Sequence, residues 1–218
     1  MRVWLASYPR SGNTMLRIIL RNVFDLTSTS LYPGEILGLD KFANVSAIVG
    51  HYERPADLRH RSESAHGLQL VKTHGYPTDA LPAIYIIRDG RMAIVSYFHY
   101  LRSLARVETT IGDILAGRLW PGSWSDHYRQ WKPRERSGTL FLRFEELRDE
   151  NAKACQKIAE FLKRDPVRPL NVSFSTLQRL NPEMFRAADD NKSLSEIRPY
   201  MDAFLEHHGP VMKELGYI

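Results

Sequence analysis

Three short segments of this 218-residue chain carry residue types suited to anion chemistry. The first is Ser7-Tyr8-Pro9-Arg10-Ser11-Gly12-Asn13-Thr14. The unpaired N–H groups of a helix N-terminus, together with the helix dipole, form an anion site. Gly12 permits a tight turn and the close approach of a phosphate, Asn13 and Thr14 add donors, and Arg10 adds a charge. An ordinary strand-to-helix turn uses the same residue types, and the GxxxxGK[ST] loop of nucleoside triphosphatases is absent. The second segment is Val71-Lys72-Thr73-His74. A histidine placed there can act as a general base near neutral pH, and a neighbouring lysine can stabilise charge on a leaving oxygen. The plainer reading of His74, one of 8 histidines, is structural or solvent-facing. The third is Ile86-Ile87-Arg88-Asp89-Gly90-Arg91, followed by Ser96. Arg88 and Ser96 suit one phosphate lying along a helix side. The alternative is a solvated Arg88–Asp89 pair with Asp89 capping the helix.

Each segment needs an element to hold it. Val3 to Ser7 reads as a strand, and Met15, Leu16, Ile18, Ile19, Val23 and Phe24 recur at helical spacing after it. Gln69 to Lys72 is a second strand. Ala83 to Ile87 is a third, its unbroken apolar run suiting burial on both faces of a parallel sheet. Ile94, Val95, Phe98 and Leu101 form a helical stripe within Arg91 to Leu104. Thr139 to Arg143 is a fourth strand, and Ala152 to Lys163 an amphipathic helix. Ser173 is placed to cap a helix through Leu180, and Pro210 suits the first turn of a last short helix. Thr27 to Ser64 has weak periodicity and reads as loops and short helices covering one side of the sheet. Strands alternating with helices predict an α/β fold, a central parallel sheet flanked by helices, in a single domain over 1–218. In such a sheet the carboxyl ends of the strands share one rim. The three segments then meet, which suits a ligand with two separated anionic groups and a reaction between them.

Composition narrows the classes. With 43% hydrophobic and 25% charged residues the chain is globular, not disordered or fibrous. A net charge of +5, with no basic run interleaved with aromatics, argues against nucleic acid as a partner. There are 22 Arg against 8 Lys; the planar arginine fork suits phosphate and sulfate oxygens, though composition bias explains the same imbalance. The lone Cys155 forms no internal disulfide. No stretch approaches the roughly 18 apolar residues of a membrane span, and the start is too short in apolar residues for a secretion signal, so the expected location is cytoplasmic. No His/Cys/Asp cluster has metal-ligand spacing.

In their order, these segments resemble the sulfotransferase family that uses 3′-phosphoadenylyl sulfate (PAPS), both its cytosolic hydroxyl and amine members and its bacterial relatives. Tyr8 to Thr14 is similar to the family's 5′-phosphosulfate loop, with Arg10 where lysine is usual. Lys72-Thr73-His74 looks like the segment with the catalytic histidine, and Arg88 to Ser96 with Tyr97-Phe98-His99 looks like the 3′-phosphate segment. Gly122-Ser123-Trp124 to Trp131 and Phe144-Glu145-Glu146 follow the family order, Phe144 falling where an aromatic contacts the nucleotide. Ser173-Phe174 resembles a later pair whose ring packs on adenine, and Arg186 falls near a 3′-phosphate contact, although Ala187-Ala188 replaces the usual Lys-Gly. Met15 stands where the family often has tryptophan.

The resemblance implies a P-loop-like sulfotransferase fold. It also implies in-line transfer of a sulfuryl group from PAPS to a hydroxyl or amine, releasing 3′-phosphoadenosine 5′-phosphate (PAP) without a metal. His74 is then the base and Lys72 its catalytic partner. Arg10, Ser11, Gly12, Asn13, Thr14, Arg88, Ser96, Phe144, Ser173, Phe174 and Arg186 bind the nucleotide. A nucleotide-dependent kinase on a P-loop scaffold and a non-catalytic PAP-binding module are the alternatives; the missing Walker lysine argues against the first, and the Lys72–His74 pair against the second. The acceptor, whether small molecule, glycoside or peptide, is left to variable loops: Thr27 to Ser64, Arg102 to Trp120 and part of the tail after Arg186. Tyr32, Tyr52, Phe98, Tyr100, Leu101, Trp120 and Trp124 are candidates for an apolar acceptor pocket, although most suit the core as well. Oligomeric state is left open.

Overall fold

The computed structural model describes residues 1–32, 48–50, 67–171, 174–180 and 190–218. The strands are β1 (Arg2–Ser7), β2 (Thr29–Ser30), β3 (Gln69–Thr73), β4 (Ala83–Ile87) and β5 (Thr139–Arg143). The α-helices are α1 (Asn13–Phe24), α2 (Gly90–Ser103), α3 (Ile111–Leu115), α4 (Trp124–Trp131), α5 (Phe144–Asp149), α6 (Asn151–Leu162), α7 (Phe174–Leu180), α8 (Asp190–Ile197) and α9 (Met201–Glu214).

The strands form one parallel sheet in the order β2-β3-β1-β4-β5. Leu5 lies opposite Lys72 on one side and Ile84 on the other, and Ser30 opposite Lys72. The two-residue period of a strand sorts the core into two layers. Val3, Leu5, Leu70, Ile84, Ile86 and Leu142 pack with α1 and α6. Trp4, Ala6, Val71, Ala83, Tyr85 and Ile87 pack with α2, α4 and α9. Because both faces are covered, Val3 to Ala6 of β1 and all of β4 are apolar without a break. Each fully buried Leu or Ile among them contributes roughly 1.5–3 kcal/mol.

The chain runs from β1 to one side and later returns to the other, so β1 is the switch point of the sheet. Ligands of open α/β sheets bind outside the carboxyl ends of the strands at such a point. The loop after β1, the turn after β3 and the start of α2 after β4 all lie there.

Three expectations need correction. Thr29–Ser30 is a strand, paired with Val71 and Lys72, not a loop; most of the rest of Thr27 to Ser64 lies outside the described residues. The segment Arg102 to Trp120 holds α3, opened by a capping box of Thr110 and Asp113. Pro210 lies inside α9 instead of opening a helix. Gly209 before it has no Cβ to clash with the proline ring, and Pro210 is exposed, so the Glu206 carbonyl that loses its N–H partner faces water. Among the described residues no helix is long and apolar enough to cross a membrane.

Candidate functional site: an anion loop joined to a fixed histidine

The loop after β1 is shaped by two left-handed residues, Arg10 at φ 62° and Gly12 at φ 108°. Gly12 is the N-cap of α1, and no side chain caps that helix. Its first-turn N–H groups therefore have no side-chain partner at the cap, which is the arrangement that binds anions. Ser11 is fully buried, and neither its hydroxyl nor the Asn13 Oδ1 has a hydrogen-bond partner. Buried polar atoms without a partner are costly, and a bound polar group at the loop would satisfy these two. A Cβ on Gly12 would come within 2.6 Å of Phe144 Cδ2, so the ring sits directly against the loop backbone.

Asn13 behaves differently from expectation. Its Nδ2 donates to the Leu5 carbonyl at 2.8 Å and reaches Ser7 Oγ at 3.4 Å. The amide donors are turned inward to pin the loop to β1, so they are not offered to a ligand.

After β4, Asp89 caps α2 by accepting from the Arg91 N–H at 2.9 Å and forms its ion pair with Arg91 at 2.6 Å. The alternative reading paired Asp89 with Arg88. That guanidinium instead lies 4.7 Å over the Phe144 ring and donates to the Arg10 carbonyl at 3.5 Å. The Arg88 carbonyl accepts from Trp124 Nε1 at 3.2 Å. Arg10 Nε donates to Ser96 Oγ at 3.1 Å, with its guanidinium 5.5 Å from the Tyr100 ring centre. Arg10, Arg88, Ser96 and Phe144 thus form one connected cluster beside the uncapped end of α1.

The histidine is tied to the same strand. His74 Nδ1 lies 2.7 Å from the Ser7 carbonyl and 3.3 Å from Ser7 Oγ. A carbonyl only accepts, so Nδ1 carries the proton, and in the neutral ring the basic lone pair is on Nε2. Tyr32 stacks on the ring, with 5.8 Å between centroids and 7° between planes, and Trp120 stands edge-on to both. Lys72 is buried in β3, on the face it shares with Leu70 and Leu5.

Arg10, Ser11, Gly12, Asn13, Thr14, Lys72, His74, Arg88, Ser96 and Phe144 therefore gather at the carboxyl ends of β1, β3, β4 and β5. Ser173, Arg186 and the pocket candidate Tyr52 lie outside the described residues; Phe174 opens α7. Of the pocket candidates, Trp124 and Leu101 are buried in the core, while Tyr32 and the 53% exposed Trp120 stand beside His74. Sequence reasoning missed Ser7 as the partner of His74, and missed His127, whose Nε2 meets the His74 carbonyl at 3.1 Å. Neither carries a local signal, because each partner is more than fifty residues away in the chain. Among the described residues no group of three or more His, Cys, Asp or Glu is placed to hold a metal ion.

Two buried histidines make the fold acid-sensitive. Burial pulls His127 from 6.5 down to about 3 and His208 from 6.5 down to about 4. A folded state that resists protonation keeps its full stability above the unfolded value and loses it as the pH falls. The loss begins near pH 6.5 and continues toward pH 4 for His208 and pH 3 for His127. Each contributes a slope of up to about 1.4 kcal/mol per pH unit. Urea midpoints therefore fall between pH 6.5 and 5, above the range where carboxylates titrate; a flat midpoint across that window contradicts this account.

Residues 1–203 match the sulfotransferase domain family. The chain belongs to that family. Among its relatives, mouse sulfotransferase 1B1 is 29% identical over 174 residues, covering 72% of this chain and 57% of the relative. Human sulfotransferase 4A1 is 27% identical over 176 residues, covering 73% and 59%. The chain thus spans less than three fifths of the length of these two relatives. Among solved structures, mouse sulfotransferase SULT7A1 complexed with PAP superposes with a TM-score of 0.69 at 22% identity, over 99% of this chain and 88% of that one. Retinol dehydratase in complex with androsterone and inactive cofactor PAP gives 0.53 at 20% identity, over 89% and 70%. At these identities the superpositions establish the sulfotransferase fold.

Proposed function

We propose that this member of the family is a PAPS-dependent sulfotransferase, acting on a hydroxyl or amine with His74 as general base. One observation carries the reading: the hydrogen bond from His74 Nδ1 to Ser7, the last residue of the strand that leads into the anion loop. It ties a base to an anion site through a single strand end and points the basic lone pair to Nε2.

PAPS bears a 5′-phosphosulfate and a 3′-phosphate, and the residues present suit both. The first-turn N–H groups of α1, the unpartnered Ser11 hydroxyl and Arg10 suit the 5′ end. Arg88 and Ser96 suit the 3′-phosphate, with Arg10 bonded to Ser96 between the two groups. That two solved relatives of this fold hold PAP supports the donor class. The donor supplies the sulfuryl group. His74 Nε2 takes the proton from the attacking acceptor, and Lys72, Arg10 and the loop N–H groups offset charge on the leaving oxygen.

The assay is transfer from labelled PAPS to a panel of phenols, glycosides and peptides. Label on an acceptor supports the reading. PAP binding without transfer or donor hydrolysis overturns it in favour of a binding module, and magnesium-dependent ATP turnover without PAP affinity overturns it in favour of a kinase. Arg88→Ala is expected to weaken PAP binding by about tenfold to a hundredfold in calorimetry, the worth of a lost charge-assisted contact. AMP, which lacks the 3′-phosphate, loses less. Equal losses for the two ligands remove Arg88 from the 3′-phosphate.

A further inference from the structure

The turn that carries His74 is held by side chains from outside its own strand. On one side, the Tyr32 hydroxyl accepts from the N–H groups of His74 at 2.6 Å and Gly75 at 3.0 Å. On the other, the two carbonyls are taken by α4: the His74 carbonyl by His127 Nε2 at 3.1 Å and the Gly75 carbonyl by Trp131 Nε1 at 2.9 Å. His127 and Trp131 are four residues apart and so share one helix face. All four main-chain polar groups of this dipeptide are therefore engaged by side chains of distant residues.

His127 is fully buried, and its chemistry is fixed by its neighbours. Nε2 faces a carbonyl, so Nε2 carries the proton. In the neutral ring Nδ1 is then an acceptor, and the Tyr85 hydroxyl 2.9 Å away is its donor. The rings of Tyr8, Tyr76, Tyr85 and Trp131 pack around it. The three tyrosines are held neutral, their pKa values pushed up chiefly by burial, so none offers His127 a counter-charge.

We infer that His127 is a positioning residue for the reaction: an imidazole with its proton on Nε2 that holds the His74 carbonyl and so sets the approach of His74 to the acceptor. The inference rests on the reading of His74 as the base. A small misplacement of a catalytic group can cost about a hundredfold in rate, and a satisfied, buried hydrogen-bond chain is a means of preventing it. Of two histidines in direct contact, one must gain a proton during turnover and the other must not.

The test separates positioning from packing. His127→Leu keeps much of the bulk and removes the donor. His127→Gln places an amide N–H close to where Nε2 stood, whereas His127→Asn reaches only as far as Nδ1. The inference expects His127→Leu and His127→Asn to lower kcat by about tenfold to a hundredfold, with PAP affinity within about twofold of the parent and the acceptor KM moving less than kcat. It expects His127→Gln to recover most of the loss. Nitrogen-15 spectra of the parent protein should show His127 protonated at Nε2, without titration between pH 5 and 8. Parent-like turnover in His127→Asn overturns the inference, as does a loss in His127→Gln as large as in His127→Asn, or a titrating His127. If His127→Leu does not fold, the Gln–Asn pair and the spectra decide the question. Parent-like turnover in His74→Ala brings down the base reading, and the role of His127 with it. An inactive His74→Ala beside a fully active His127→Asn brings down this inference alone.

Discussion

His74→Ala is expected to lower kcat by about a hundredfold to ten-thousandfold, the usual worth of a positioned general base, and to leave PAP affinity within about twofold. The argument is geometric. Nδ1 is fixed on Ser7, the ring is stacked on Tyr32, and both main-chain groups of the residue are bonded. A ring held at this many points contributes through its remaining nitrogen. Alanine removes that nitrogen and leaves the anion loop, which is built from β1 and α1. Single-turnover transfer and calorimetry with PAP separate the two effects. Near-parent turnover takes the base role away from His74, and a parallel collapse of PAP affinity means that the histidine supports the loop instead.

Gly12→Ala is the second large effect. At φ 108° an L-residue is strained, and the new Cβ would sit 2.6 Å from Phe144 Cδ2. Holding a side chain in such backbone costs about 1–3 kcal/mol. The ring cannot simply swing away: it is buried, and Arg88 lies 4.7 Å over it. Moving Phe144 therefore moves Arg88, so the change is expected to lower stability by about 1–3 kcal/mol and PAP affinity by tenfold or more, about 1.4 kcal/mol. Gly67 supplies the control. It is also left-handed, at φ 64°, but has nothing within 4 Å of its Cβ position, so Gly67→Ala pays backbone strain alone and binds PAP normally. Unchanged PAP affinity in Gly12→Ala contradicts the coupling of loop, ring and arginine.

How much of this was legible beforehand follows from physical range. Ala83 to Ile87 reads as a strand because burial on both faces leaves a continuous apolar run. Met15 to Phe24 reads as a helix because one face packs on the sheet, and α2 and α6 are legible for the same reason. The anion loop is legible because its residues are consecutive. Thr29–Ser30 is not: two polar residues show no period, and only their pairing with β3 makes them a strand. The helix α4 carries Trp124, His127, Tyr128 and Trp131 on its buried side, a helical spacing that was present but sat among polar residues. Asn13 reads as a ligand donor from its place in the loop, yet its amide serves the Leu5 carbonyl. The partnership of Ser7 with His74 crosses 67 residues and that of His127 with His74 crosses 53. Contacts of that kind arise from topology and leave no local trace.

The strand order divides the labour of the molecule. β1 is flanked by β3 and β4, and these three neighbours carry the loop, the histidine and the arginine. Among the described residues β2 pairs only with β3, at the margin, and Tyr32 lies two residues beyond it. Chemistry placed at the middle of a sheet inherits the rigidity of strands held on both sides. Tyr32 at the margin reaches back to the centre through the N–H groups of His74 and Gly75, whereas other features placed there can change without breaking any central pairing. On the proposed function, a change of acceptor that spares Tyr32 needs no new reaction centre, and an engineer seeking one has a border on which to graft.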